Sequence, residues 1–271
     1  SQFEVGQPNT VGDRSGVKVA GNATPAGRSE HLPGEVVIPS TNGIAIPLGI
    51  SKADPSFVER ALLADGELPE REKFKIADWV NLGVVKFEPS VVMTDLEAYS
   101  EGGPCPWDST KSLWMVIFRP GDGRMISPAA KVVFDPELVV SAQLLGGCET
   151  RKTGPLKSKE FNSSQIFLYE LDTKKEGHQL GGVSITTQRG ESGYVPIHSP
   201  RQAQQSNTVG FRTAVVLGGF ARWAASDSRE EKTLVLLARE ARDLISCEEV
   251  TDVSCRYALD VILQSEETLN R

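Results

Sequence analysis

Between residues 74 and 198, runs of β-branched and aromatic residues alternate with turn-forming ones, and few folds accept a chain spaced in that way. The runs are Trp79–Phe87, Val91–Asp95, Leu113–Phe118, Lys131–Phe134, Leu138–Leu145, Ile166–Leu171, Gly182–Gln188 and Tyr194–His198. Pro89, the tetrapeptide Pro120-Gly121-Asp122-Gly123, Asp135-Pro136, Gly146-Gly147 and Lys174–Gly177 punctuate them. Many short strands joined by turns bury their apolar faces by stacking sheet on sheet. The pattern therefore predicts a mainly β protein with a β-sandwich or jelly-roll-like core. In Leu113–Phe118 both parities are apolar, which predicts a central strand covered on both faces.

The flanks read differently. Residues 1–50 are rich in Gly, Pro, Ser, Thr and Asn and show no sustained apolar period, apart from two β-like pieces at Glu35–Ile38 and Ile44–Leu48. Such a segment buries too little apolar area to fold alone. It is expected to be an extended N-terminal arm that orders against another copy of the chain and so drives homo-oligomer formation. Asp54 as N-cap, Pro55 at the first helical position and Gly66 as the stop predict a helix over Pro55–Ala64 at the start of a 51–200 core.

Residues 201–271 form a C-terminal helical region. Phe211–Ala225 is Ala-rich and apolar, Ser228-x-x-Glu231 resembles a capping box, and a last helix is expected over Val250–Gln264, with Val253, Tyr257 and Val261 on one face. In the middle helix Leu234, Leu237, Ala238, Ala241, Leu244 and Ile245 form a narrow stripe. It is expected to pack on the sheet flank and on the helix near Tyr257, with a neighbouring subunit as the alternative.

Chemistry is sparse along the chain. With 29 Lys+Arg against 36 Asp+Glu the net charge is −7, which excludes a protein coated along its surface by nucleic acid. No apolar run approaches the roughly 18 residues of a membrane span, and the first residues carry neither the basic nor the apolar part of a secretory signal. Cys105, Cys148, Cys247 and Cys255 fit no zinc spacing and read as reduced thiols of an intracellular protein.

Cys148 follows Gly146-Gly147 but lacks the trailing glycine of a chymotrypsin-like cysteine nucleophile, so it reads as a structural cysteine at a strand end and not as the partner of His198, which ends a strand before Ser199-Pro200. His178 reads as solvated. The glycine pairs match neither phosphate-binding motif and read as turns, bulges and close helix contacts. No catalytic, metal or cofactor site is expected. Arg151, Lys152, Lys157 and Lys159 form the one basic cluster that could meet a polyanion, through weak, salt-sensitive contact with RNA. Trp107, in a loop between Pro106 and Asp108, and Leu237 on the helical stripe are the candidate oligomer contacts.

The order of arm, β-rich core and helices resembles viral coat proteins of the jelly-roll kind. The stretch LWMVIFRPGDGR over Leu113–Arg124, followed by KVVFDPELVVSAQ over Lys131–Gln143, is also similar to the core of plant-virus movement proteins of the 30K superfamily, with Asp122 at the matching acidic position. The first resemblance implies a self-assembling structural subunit of a virion. The second implies a movement or RNA-transport protein in the host-cell cytoplasm, although the acidic charge departs from that family's basic character. An enzyme with an unreadable site is the third possibility.

Overall fold

The structure is a computed structural model, and it describes residues 36–37, 44–46, 48, 50–83, 87–121, 126–145, 163–174, 179–198 and 207–270. In chain order the strands and α-helices are β1 (Val36–Val37), β2 (Ile44–Ala45), α1 (Ser56–Asp65), α2 (Ile76–Val80), β3 (Val91–Val92), β4 (Leu96–Pro104), β5 (Ser112–Pro120), β6 (Ala129–Phe134), β7 (Val139–Leu144), β8 (Gln165–Thr173), β9 (Gln179–Thr186), β10 (Ser192–His198), α3 (Val209–Ala225), α4 (Glu231–Ile245) and α5 (Val253–Leu269). The strands form two antiparallel sheets, one ordered β1-β7-β8-β5-β4-β3 and the other β10-β9-β6-β2.

Alternation along the strands builds two apolar cores. On β5, Trp114, Val116 and Phe118 join Phe167 and Tyr169 of β8 in a cluster that also contains Val132 and Phe134 of β6, Val183 and Ile185 of β9, and Val195 and Ile197 of β10. Side chains of both sheets thus share one interior. Trp114 meets Phe134 across it with ring centroids 6.1 Å apart and Tyr169 along its own sheet at 5.3 Å. The opposite parity of β5, Leu113, Met115 and Ile117, belongs to a second cluster with Ile166 and Leu168 of β8 and the buried faces of α2, α3, α4 and α5. The expected central strand is therefore β5, flanked by β4 and β8 and covered on both faces.

Three elements differ from expectation. The run beginning at Trp79 was expected to be a strand, but Ile76–Val80 is a helix. Ile76, Ala77, Trp79 and Val80 are all buried, and Trp79 packs against Phe220 of α3 with ring centroids 5.2 Å apart and the planes tilted by 58°. Packing against a helix favoured the helical period over the β propensity of the run. The strand β4 was not expected. Its polar face carries Glu97, Tyr99 and Glu101, and Gly102-Gly103 reads as a turn, yet Leu96 and Ala98 point into the inter-sheet core and nine residues pair with β5. The capping box at Ser228 does not form. Helix α4 starts after Glu230, which makes no side-chain cap. The turn before it is held instead by Ser226 Oγ, which accepts from Arg229 N at 3.2 Å, and by Arg229 Nε, which donates to Ala224 O at 3.0 Å.

Smaller shifts follow the same logic. Pro55 precedes α1, and Asp54 Oδ1 accepts from Ser56 N at 3.1 Å, one residue later than expected; Gly66 ends the helix in the left-handed region. On α5 the buried face is Cys255, Ala258, Leu259, Val261 and Ile262, so Val261 is buried as expected, while Val253 is exposed because Asp252 caps Cys255 N at 2.8 Å and fixes the start of the helix. At the N-terminal side, β1 pairs with β7 and β2 with β6 of the same chain. Ile46 N donates to Ala130 O at 2.8 Å and Ile50 N to Gln165 Oε1 at 2.7 Å. The last part of the expected arm is thus sheet of its own subunit. Residues 1–35 lie outside the described residues.

Asn81 closes the sheet against α2. Its side chain is buried, accepts from Ile166 N at 2.9 Å and donates to Ile166 O at 3.0 Å and Ala77 O at 2.9 Å. It does for the start of β8 what a neighbouring strand would do. Asn81→Ala leaves a buried amide and a buried carbonyl of Ile166 without partners, an expected loss of about 2–4 kcal/mol. Chemical denaturation measures it; a midpoint unchanged from the native chain would show that these contacts add nothing.

Candidate interaction groove

Helices α3 and α4 are joined by the short turn over 226–230, and the loop between β4 and β5 lies against them. Gly219 of α3 makes the approach possible. A Cβ there would stand 2.8 Å from Trp107 Cζ3 and 2.9 Å from Leu237 Cδ2, closer than carbon atoms tolerate. The glycine pair read from the sequence as a close helix contact is one.

Trp107 is anchored from several directions. Its Nε1 donates to Glu170 Oε2 at 2.8 Å, and the Arg222 guanidinium lies over its ring, 5.2 Å from the centroid. Glu170, on β8, is buried to 4% exposure and is charge-paired with Lys111, which also lies 3.8 Å from Asp108. Asp108 Oδ1 accepts from Thr110 N at 3.0 Å and from its hydroxyl at 2.6 Å, and those two bonds hold the Asp108 carboxyl below the usual carboxylate range. A buried carboxylate is costly unless fully partnered. The indole and the ammonium supply the partners, and in doing so they fix the 105–111 loop.

Between this loop and the two helices runs a groove of about 340 Å³. Trp107, Phe211, Val215, Leu236 and Leu237 line it, and the ion pair of Arg212 with Glu240, 2.5 Å from Nη2 to Oε1, lies along it. The two residues singled out as oligomer contacts, Trp107 and Leu237, are brought together here. Trp107 is partly exposed. Leu237, at 4% exposure, is inside the helical core, so as a surface contact it is displaced by its neighbour Leu236, which is 56% exposed. Helix α4 packs on α3 and α5 of its own chain; the expected sheet flank is covered by α2 and α3 instead. Leu236 lies off the buried stripe, as the spacing of that stripe requires, but nothing in the spacing placed it on the wall of the groove.

Comparison with protein-family models, with curated proteins and with solved structures found no match. Arg151, Lys152, Lys157 and Lys159, with Asp122, Cys148 and His178, lie outside the described residues. His198 ends β10 on the surface. Among the described residues, no three His, Cys, Asp or Glu side chains are grouped to hold a metal ion, and no helix is long and apolar enough to cross a membrane.

Cys105, Cys247 and Cys255 are free thiols. Burial pushes the Cys105 and Cys255 thiols up to about 12. At pH 8 roughly one molecule in ten thousand then carries the thiolate at either position. Alkylation mapped by peptide is expected to reach Cys247 first and to leave Cys105 and Cys255 protected until the chain is unfolded. Labelling of Cys105 in the native protein at the rate of Cys247 would contradict this.

Proposed function

We propose that the chain is a self-assembling structural subunit of a viral coat-like kind, whose core is a two-sheet sandwich with a helical layer on one face. The observation that carries the proposal is the groove between α3, α4 and the Trp107 loop. It is apolar at its base, it is held rigid by the buried Glu170, and an exposed leucine stands on its wall. Rigid apolar surface beside an exposed large side chain is a feature of protein contact surfaces. The hairpins β3-β4, β4-β5, β7-β8 and β9-β10 each join neighbours in one sheet, which favours a sandwich over a strict jelly roll.

Size-exclusion chromatography with light scattering over a concentration series tests the proposal. Large or closed assemblies are the expected result. A chain that stays monomeric at every concentration overturns it.

A further inference from the structure

We propose that the outer face of α4 is a two-fold contact between copies of this chain, with the two α4 helices crossing antiparallel at Leu236. The inference rests on the self-assembly reading and specifies one of its interfaces.

Lys232, Leu236 and Glu240 follow one another at four-residue spacing on α4. They fall within an arc of roughly 80° on the side away from the buried stripe. Leu236 is 56% exposed, and the side chains of Lys232 and Glu240 are 80% and 38% exposed. Leu236 therefore stands among charged groups, with Lys232 one turn before it, Glu240 one turn after it, and the exposed Arg239 and Asp243 beside them.

A face of that kind is complementary to itself. A two-fold interface brings each residue against its mirror position, so a contact centred on Leu236 sets leucine on leucine and Lys232 of each copy against Glu240 of the other. The antiparallel crossing also opposes the helix dipoles favourably. Both groups are available for the exchange. Among the described residues Lys232 pairs with the exposed Glu230 at 3.1 Å, a weak competitor. Both nitrogens of Arg212 that reach Glu240 meet Oε1, and Oε2 takes no hydrogen bond from the described residues. Leu236 also lines the groove, so the leucine of the second copy has apolar surface to enter beside it.

The charge pattern supplies a test that an effect within one chain cannot imitate. Lys232 and Glu240 are about 12 Å apart along the helix and do not touch each other. Lys232→Glu makes the patch acidic on both copies, and Glu240→Lys makes it basic on both. Each variant alone is expected to lose pairing at concentrations where the native chain pairs, and an equimolar mixture is expected to recover it as a heterodimer. The double variant K232E/E240K is expected to pair with itself, and L236D to stay folded by thermal melt but unpaired.

A mixture that fails to recover overturns the α4 contact. So do variants that associate as the native chain does, and in that case the self-assembly reading stands. Dimers that obey the charge-exchange rule but never grow larger support the α4 contact and overturn the coat-like reading. A native chain that is monomeric throughout overturns both.

Discussion

Gly181→Ala is expected to abolish the cooperative fold. Gly181 pairs with Phe134 of β6 and sits beside the register shift between Ile197 and His198 of β10, with φ at 147°. That backbone conformation strongly favours glycine. A Cβ there would also stand 2.1 Å from Val133 O and 2.9 Å from Phe134 Cα. Both are backbone atoms, so no side-chain rotation relieves the overlap. The β6–β9 pairing, the inner pair of the four-stranded sheet, would have to open at its Phe134 end, two positions from the fully buried Val132 and Val183. A loss of about 4 kcal/mol or more is expected, in the range that marks a specific structural conflict. Gly190→Ala is the control. Its φ of 81° carries strain, but nothing stands within 4 Å of the added carbon, so it should cost only about 1–2 kcal/mol. Equal melting midpoints for the two variants would remove the steric argument.

Leu237→Asp is expected to be nearly as damaging. The side chain is 4% exposed, against Gly219 and within the cluster of α3, α4 and α5. An unpaired carboxylate is not accommodated there. Truncation to alanine should cost about 2–5 kcal/mol, seen as a lower melting midpoint at every protein concentration, since the contacts are within one chain. Leu236→Asp, one residue away, points to water and should melt close to the native chain. A folded and soluble Leu237→Asp variant would mean that α4 is not packed on α3 as described.

Much of this architecture is legible in local pattern. The run Leu113–Phe118, apolar at both parities, marks β5 as a strand covered on both faces, the stripe from Leu234 to Leu244 marks α4, and Gly66 marks the end of α1. In each, the period of the apolar residues matches the geometry of the element, and the signal lies within a dozen residues. The cap position of α4 falls two residues after Ser228 because Ser226, which lies before the motif, holds Arg229 N; on α5 Val261 is buried as its spacing implies, and Val253 is not.

The candidate groove was legible only in part. Trp107 stood out as an aromatic residue in a loop, and Leu237 as part of a stripe. Nothing near Trp107 in the chain announces Glu170, 63 residues away, or Arg222. Leu236 falls outside the stripe by spacing, but its place on the groove wall depends on the Trp107 loop packed beside it.

By itself the sequence determined the periods. It set many short strands between 74 and 198, helices from Phe211 to Gln264 and a net charge of −7. The tertiary structure alone decided the rest. Trp79 is helical because Phe220 and Phe74 pack on it, β4 is a strand because β5 offers it a full ladder, and Leu236 is exposed while Leu237 is buried because α3 covers only one side of α4. Local pattern records which residues prefer to leave water. Which surface receives them depends on partners distant in the chain.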